Sequence, residues 1–135
     1  MTESKQSEEQ QKHQQELMFK LQMFEQQAQQ IQQQLQAIEQ ALGEMNSLNF
    51  GLDELVGSKD KEIMAPIGRG IFVKAKLLSE ELTVDVGGKN FVKKSIPEAK
   101  ELIEVQIKKL EDVKKDLEAN LEMLGKELEK EMSGK

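Results

Sequence analysis

From Leu17 onward, nine apolar residues follow one another at alternating intervals of four and three: Leu17, Leu21, Phe24, Ala28, Ile31, Leu35, Ile38, Leu42 and Met45. This heptad seam commits the stretch to a long helix that buries one narrow stripe against a partner helix. The residues between are mostly glutamine, a good helix former that gains nothing from burial, so the remaining faces belong to water or another polar surface. Ser7 with Gln10 reads as a capping box, and Gly57 as a stop after Leu52, Leu55 and Val56. The first helix is expected over about residues 7–56, roughly 75 Å long.

A second start signal stands at Ser95, where a serine cap, Pro97 in the first turn and Glu98 at the third helical position coincide. Its apolar positions are Ile103, Ile107, Leu110, Val113, Leu117, Leu121, Leu124 and Leu128, again at threes and fours, with lysine and glutamate elsewhere. Gln106, Asn120 and Glu127 make this seam drift from a strict heptad. Folded back antiparallel, the two seams bring Leu17 near Leu128 and Met45 near Ile103.

Between the helices the period falls to two. Ile63, Ala65 and Ile67 alternate with Met64 and Pro66; Ile71, Val73, Ala75 and Leu77 with Phe72, Lys74 and Lys76; Leu82, Val84 and Val86 with Thr83 and Asp85; Phe91 and Val92 open a fourth run. These read as four strands in two hairpins, turning at Gly68-Arg69-Gly70 and at Gly87-Gly88-Lys89-Asn90. Pro66 cannot donate to a ladder, so the first strand has an edge or a bulge there. Four short strands on a two-helix stem have little of their own to pack against. They should pair with strands of other chains through Ile63, Ile67, Ile71, Phe72, Val73, Leu82, Val84, Val86, Phe91 and Val92.

The expected fold class is therefore α+β: a long antiparallel two-helix coiled coil with two central β-hairpins. Residues 1–56 and 96–135 form its helices and 57–95 the hairpins. Composition excludes much site chemistry. The chain has no cysteine and one histidine, His13, so neither a thiolate site nor a multi-histidine metal centre can form, and no catalytic residue, metal ligand or cofactor loop stands out. A net charge of −6 argues against general nucleic-acid binding, although residues 57–96 carry eight basic against five acidic groups. No stretch reaches the roughly 18 apolar residues of a membrane span, and the opening MTESKQSEEQQK has no apolar signal centre. A cytoplasmic chain that makes no membrane contact is expected.

The run from Ile63 to Leu77, IMAPIGRGIFVKAKL, followed by Thr83 to Lys94, TVDVGGKNFVKK, resembles the hairpin signature of the prefoldin alpha-class subunits. The signature is a hydrophobic-Pro-hydrophobic-Gly turn, an aromatic-Val-Lys-Ala-Lys strand, a Val-Gly-x-Gly turn and an aromatic-Val-Glu-Lys ending. Two departures are Gly87-Gly88-Lys89-Asn90 in place of Gly-x-Gly, and Lys93 where an acidic residue is common. The resemblance implies an ATP-independent co-chaperone in which two alpha and four beta subunits join hairpins into a double β-barrel platform. The coiled-coil tips of such a hexamer hold unfolded polypeptides and deliver them to a group II chaperonin.

Promiscuous binding of that kind needs exposed, adaptable apolar side chains. With Leu17 and Phe24 at d, Met18 falls at e, Phe19 at f and Met23 at c, all off the seam, while residues 25–44 carry almost only Gln or Glu at such positions. Met123, at g, and Met132 fall near the same end of the second helix. Gln10 and Gln14 occupy the next seam positions, so pairing frays there and leaves Leu17, Leu21, Leu124 and Leu128 partly accessible. These nine residues form the expected client-binding surface. A scaffold that bridges folded partners is the alternative, but the glutamine-rich outer faces offer it no docking strip.

Overall fold

The computed structural model describes residues 2–133. Along the chain it forms α1 (Thr2–Leu55), β1 (Glu62–Gly68), β2 (Ile71–Lys76), β3 (Leu82–Asp85), β4 (Phe91–Lys94) and α2 (Ile96–Met132). This is the expected α+β arrangement of two long helices around two antiparallel hairpins, β1 with β2 and β3 with β4. Each sheet has only two strands, so no barrel closes within the chain.

α1 begins earlier than expected, and Ser7 lies in its interior rather than at its cap. Lys5, Gln6, Glu8, Glu9 and Gln10 have long side chains that carry little helix penalty. Its C-terminal end follows the glycine stop: Gly57 has φ 75°, its N–H donates to Glu80 Oε1 at 2.8 Å, and the Ser58 hydroxyl donates to the Glu54 carbonyl. α2 starts in a reciprocal capping box. The Glu98 N–H donates to Ser95 Oγ at 3.2 Å, while the Ser95 N–H and hydroxyl donate to Glu98 Oε1 at 3.2 and 2.9 Å.

Both hairpins close on two-residue turns whose central residues have positive φ, as type I′ turns require. These are Arg69 (49°) with Gly70 (77°), and Gly88 (60°) with Lys89 (63°). In the second, the Asn90 N–H donates to the Gly87 carbonyl at 3.1 Å, so Gly-Gly-Lys-Asn makes a tight turn without the Gly-x-Gly spacing. The β1–β2 register shifts between Pro66 and Gly68, which is the bulge that Pro66 called for.

The chain divides into two compact units. One consists of Ala41–Leu110 and contains the only four buried apolar residues among those described: Leu52, Ile96, Ala99 and Ile103. Met45, Leu55, Leu82 and Ile107 pack around them, and Lys100 pairs with Asp53 across the helices. Met45 thus joins the cluster of Ile103, as its place on the seam implied. Burying Leu52, Ile96 and Ile103 contributes about 1.5–3 kcal/mol each. Asn49 occupies a seam position in this unit, and its Oδ1 is buried without a hydrogen-bond partner.

The other unit pairs the segment up to Gln40 with the segment from Glu111. Its seam residues, from Leu17 to Ile38 on α1 and from Leu117 to Leu128 on α2, are all half-buried. Two ion pairs mark the register: Lys20 Nζ lies 3.3 Å from Glu131 Oε2, and Lys114 Nζ 3.6 Å from Glu39 Oε1. Leu128 consequently stands level with Phe24, about two turns from the expected Leu17.

The seam of α2 also differs from the expected one. Its half-buried or buried positions run Ile103, Ile107, Leu110, Lys114, Leu117, Leu121, Leu124, Leu128 and Glu131, an unbroken heptad. Val113 is 47% exposed and points away. Together with Gln106, Asn120 and Glu127 it forms the flanking g row, so the seam does not drift. A lysine can hold a seam position because its four-carbon stem lies along the apolar stripe while the ammonium reaches out to carboxylates.

Two outcomes follow from these contacts. Asn49→Leu removes a buried orphan carbonyl and is expected to raise unfolding stability by about 1–3 kcal/mol, measured by thermal or denaturant melts. Hydrogen bonds from the Ser95 hydroxyl and backbone N–H, with Lys94 nearby, hold the Glu98 carboxyl below the usual glutamate range. A depressed carboxyl contributes stability that is present above its unfolded value and lost as pH falls through its folded one. Glu98→Gln should therefore melt below wild type near about pH 6, with the gap closing as the pH falls through the lowered folded value of Glu98.

Candidate functional site

Two surfaces leave large apolar side chains uncovered, one in each unit. In the unit built on the N-terminal part of α1 and the C-terminal part of α2, the Lys20–Glu131 pair puts Phe19 and Met132 at one level. Phe19 is 65% exposed, Met18, Met132 and Met123 are similarly open, and Met23 is 44% exposed. α1 continues for about 17 residues beyond the level where α2 ends, and its side chains from Lys5 to Glu16 are all exposed.

The seam residues Leu17, Leu21, Leu124 and Leu128 are half-buried rather than open. Leu17 lies past the last leucine of α2, so it has no apolar seam partner at its own level. Met123 lies at c on the outer face of α2, not at g, and nine residues before Met132, about 13 Å of helix. The geometry thus gathers Met18, Phe19, Met23 and Met132 at one end and leaves Met123 apart. Thioether and phenyl groups at such a surface can re-pack against varied apolar segments, and no fixed pocket constrains them.

The second surface is on the hairpins. Pairing of Ile63 with Ala75 and Ala65 with Val73 puts Ile63, Ala65, Val73 and Ala75 on one face of the first hairpin. Its other face carries Glu62, Met64, Pro66, Phe72, Lys74 and Lys76. Ile67 is 68% exposed and Ile71, Phe72 and Val73 are exposed, while Ile63, Ala65 and Ala75 are half-buried. An apolar sheet face in water on a two-stranded ribbon is unstable unless something covers it. Both ribbons also present free edges ready to accept a further strand.

The second hairpin differs. Leu82, Val84 and Val92 turn inward and are half-buried, and Leu82 packs on the chain's own helical cluster. Leu82 and Val84 help line a shallow apolar groove with Leu48, Leu52, Ala99, Leu102 and Ile103. Among the residues expected to meet other chains, Leu82, Val84 and Val92 are thus partly occupied within this one, while Val86 and Phe91 remain exposed. Sequence reasoning passed over Leu48 and Leu102; the signal was two leucines off the seam beside the hairpin junctions.

Residues 24–132 match the family model of the prefoldin subunit. The chain is 35% identical over 110 residues to prefoldin subunit alpha of Methanobrevibacter smithii, covering 81% of this chain and 75% of the relative. The chain belongs to the prefoldin family. Its fold is similar to that of filamentous PFD from Methanocaldococcus jannaschii, solved by cryo-EM, with a TM-score of 0.75 at 19% identity. That likeness covers 86% of this chain and 98% of the other.

Prefoldin is a chaperone family, so the chain is a chaperone-type subunit that assembles with other prefoldin subunits. The family match begins at Phe24, however, so Leu17 to Met23 lie outside it and their role rests on geometry.

Val73→Asp places a charge on the face left open by the first hairpin. It should leave the helical content of the chain unchanged by circular dichroism while abolishing association, read as native mass with partner subunits. Val84→Asp should lower helical stability as well, because Val84 lines the chain's own groove.

Proposed function

We propose that the chain is an alpha-class prefoldin subunit that acts as a holdase without ATP. Its hairpins join those of beta-class subunits in a hexamer of two alpha and four beta chains. Unfolded polypeptides are captured at the uncovered helix ends and passed to a group II chaperonin. The segments 1–56, 57–95 and 96–135 serve as arm helix, assembly platform and arm helix. The observation that carries the reading is the exposure of Met18, Phe19, Met23 and Met132 together at one end, where the neighbouring off-seam positions are polar.

Three further facts support it. The hairpins bear an open apolar face built of β-branched residues, suited to fixed pairing rather than to varied clients. The number of strands agrees with the two hairpins implied by the alpha-class signature. No described helix is long and apolar enough to cross a membrane, which is consistent with work in the cytoplasm.

Capture at the tip rests on many weak contacts, each worth about 1 kcal/mol. Co-expression with a beta-class partner and replacement of Phe19 and Met23 by Gln should weaken client affinity by up to roughly thirtyfold. The readout is suppression of aggregation of a chemically denatured protein without ATP, with native mass confirming intact assembly. Unchanged suppression by an intact assembly would remove these two residues from the grip.

A further inference from the structure

Two lysines stand on the α2 seam: Lys100, which pairs with Asp53, and Lys114 two heptads later, whose side chain is 34% exposed. Its ammonium lies 3.6 Å from Glu39 across the helix pair and 3.9 Å from Glu118 one turn further along α2. Leu110 and Leu117 hold the seam positions on either side. Such a charge gains little net stability, because the solvation it gives up offsets most of its attraction to the carboxylates. What it can supply is discrimination between pairings that the leucines alone treat as nearly equal.

The residues around Glu39 show how. Glu39 occupies the e row of α1, whose members one heptad away on either side are Gln32 and Asn46. A slip of the helices by one heptad in either direction keeps every apolar contact in phase but sets Lys114 against a neutral amide. A slip by two heptads reaches Glu25 or Asp53, at the loss of about four turns of overlap. Parallel pairing of α2 with a second copy of itself would bring two Lys114 ammonium groups together at facing a positions.

We propose that Lys114, through Glu39, is the register- and partner-selecting residue of the helix pair. It rejects one-heptad slips and self-pairing of α2 because either costs its ammonium the cross-helix carboxylate of Glu39 and leaves it only Glu118 of its own helix. This assignment is independent of client binding and would stand if the tip bound nothing.

Spin labels at the exposed positions Gln26 and Lys115 of the full chain, diluted with unlabelled protein, report the register as a distance. The wild type should give one narrow population. Lys114→Leu should add a second population displaced by about 10 Å, one heptad of rise, without lowering the melting temperature. The double variant Glu39→Gln/Gln32→Glu relocates the counter-charge and should shift the main population by the same step. The exchange Glu39→Lys/Lys114→Glu should restore a single wild-type distance. One unchanged distance in both Lys114→Leu and Glu39→Gln/Gln32→Glu overturns the proposal and assigns the register to the Lys100–Asp53 pair and the cluster around Leu52 and Ile103.

Discussion

A helix that meets only one other helix can cover only one side of itself, and this constraint governs the molecule. Seam residues that would be sealed in a larger bundle are half-buried here, and four apolar side chains alone reach full burial among those described. Stability must then come from repetition of a modest contact over many turns and from the small cluster where hairpin and helices meet.

Thin construction makes the uncovered residues informative. In a globular protein an exposed leucine or phenylalanine carries little meaning, because apolar atoms supply much of any surface. Here long stretches of α1 have only glutamine and glutamate off the seam, so Met18, Phe19 and Met23 stand out against a polar background. The hairpins present the complementary case: their exposed valine and isoleucine side chains follow strand alternation and so form a face rather than a scatter.

Most of the architecture was legible because it rests on period and punctuation. The α1 seam, the Ser95–Glu98 box, the four strands and both turns were all carried by local patterns whose physics acts within a few residues. The α2 seam was misread at Val113, since an apolar residue three places after Leu110 satisfies a helical pattern and the neighbouring lysine does not. Only the partner helix decides the matter, by placing Glu39 within reach of Lys114. The level of Leu17 escaped for the same reason: a heptad repeat fixes which face meets its partner but not which residue meets which. The inward turn of Leu82, Val84 and Val92 depended on a contact between hairpin and helices that alternation alone cannot express.

The two uncovered surfaces differ in side-chain stiffness, and that difference bears on what each can do. Valine and isoleucine on a strand hold one preferred rotamer and present a fixed relief, so a partner must match them in shape and register. Such a face gives a defined assembly and resists casual occupants. Methionine has three rotatable bonds and a polarizable sulfur, so the same few residues can fit many outlines at low cost in strain. The proposed function calls for both behaviours in one chain, one surface that accepts only its own kind and another that accepts whatever is unfolded. The exposed valines and isoleucines of the hairpins stand beside Met64, Phe72 and Phe91, whereas the helix end that gathers Met18, Phe19, Met23 and Met132 has no β-branched residue among its exposed apolar side chains.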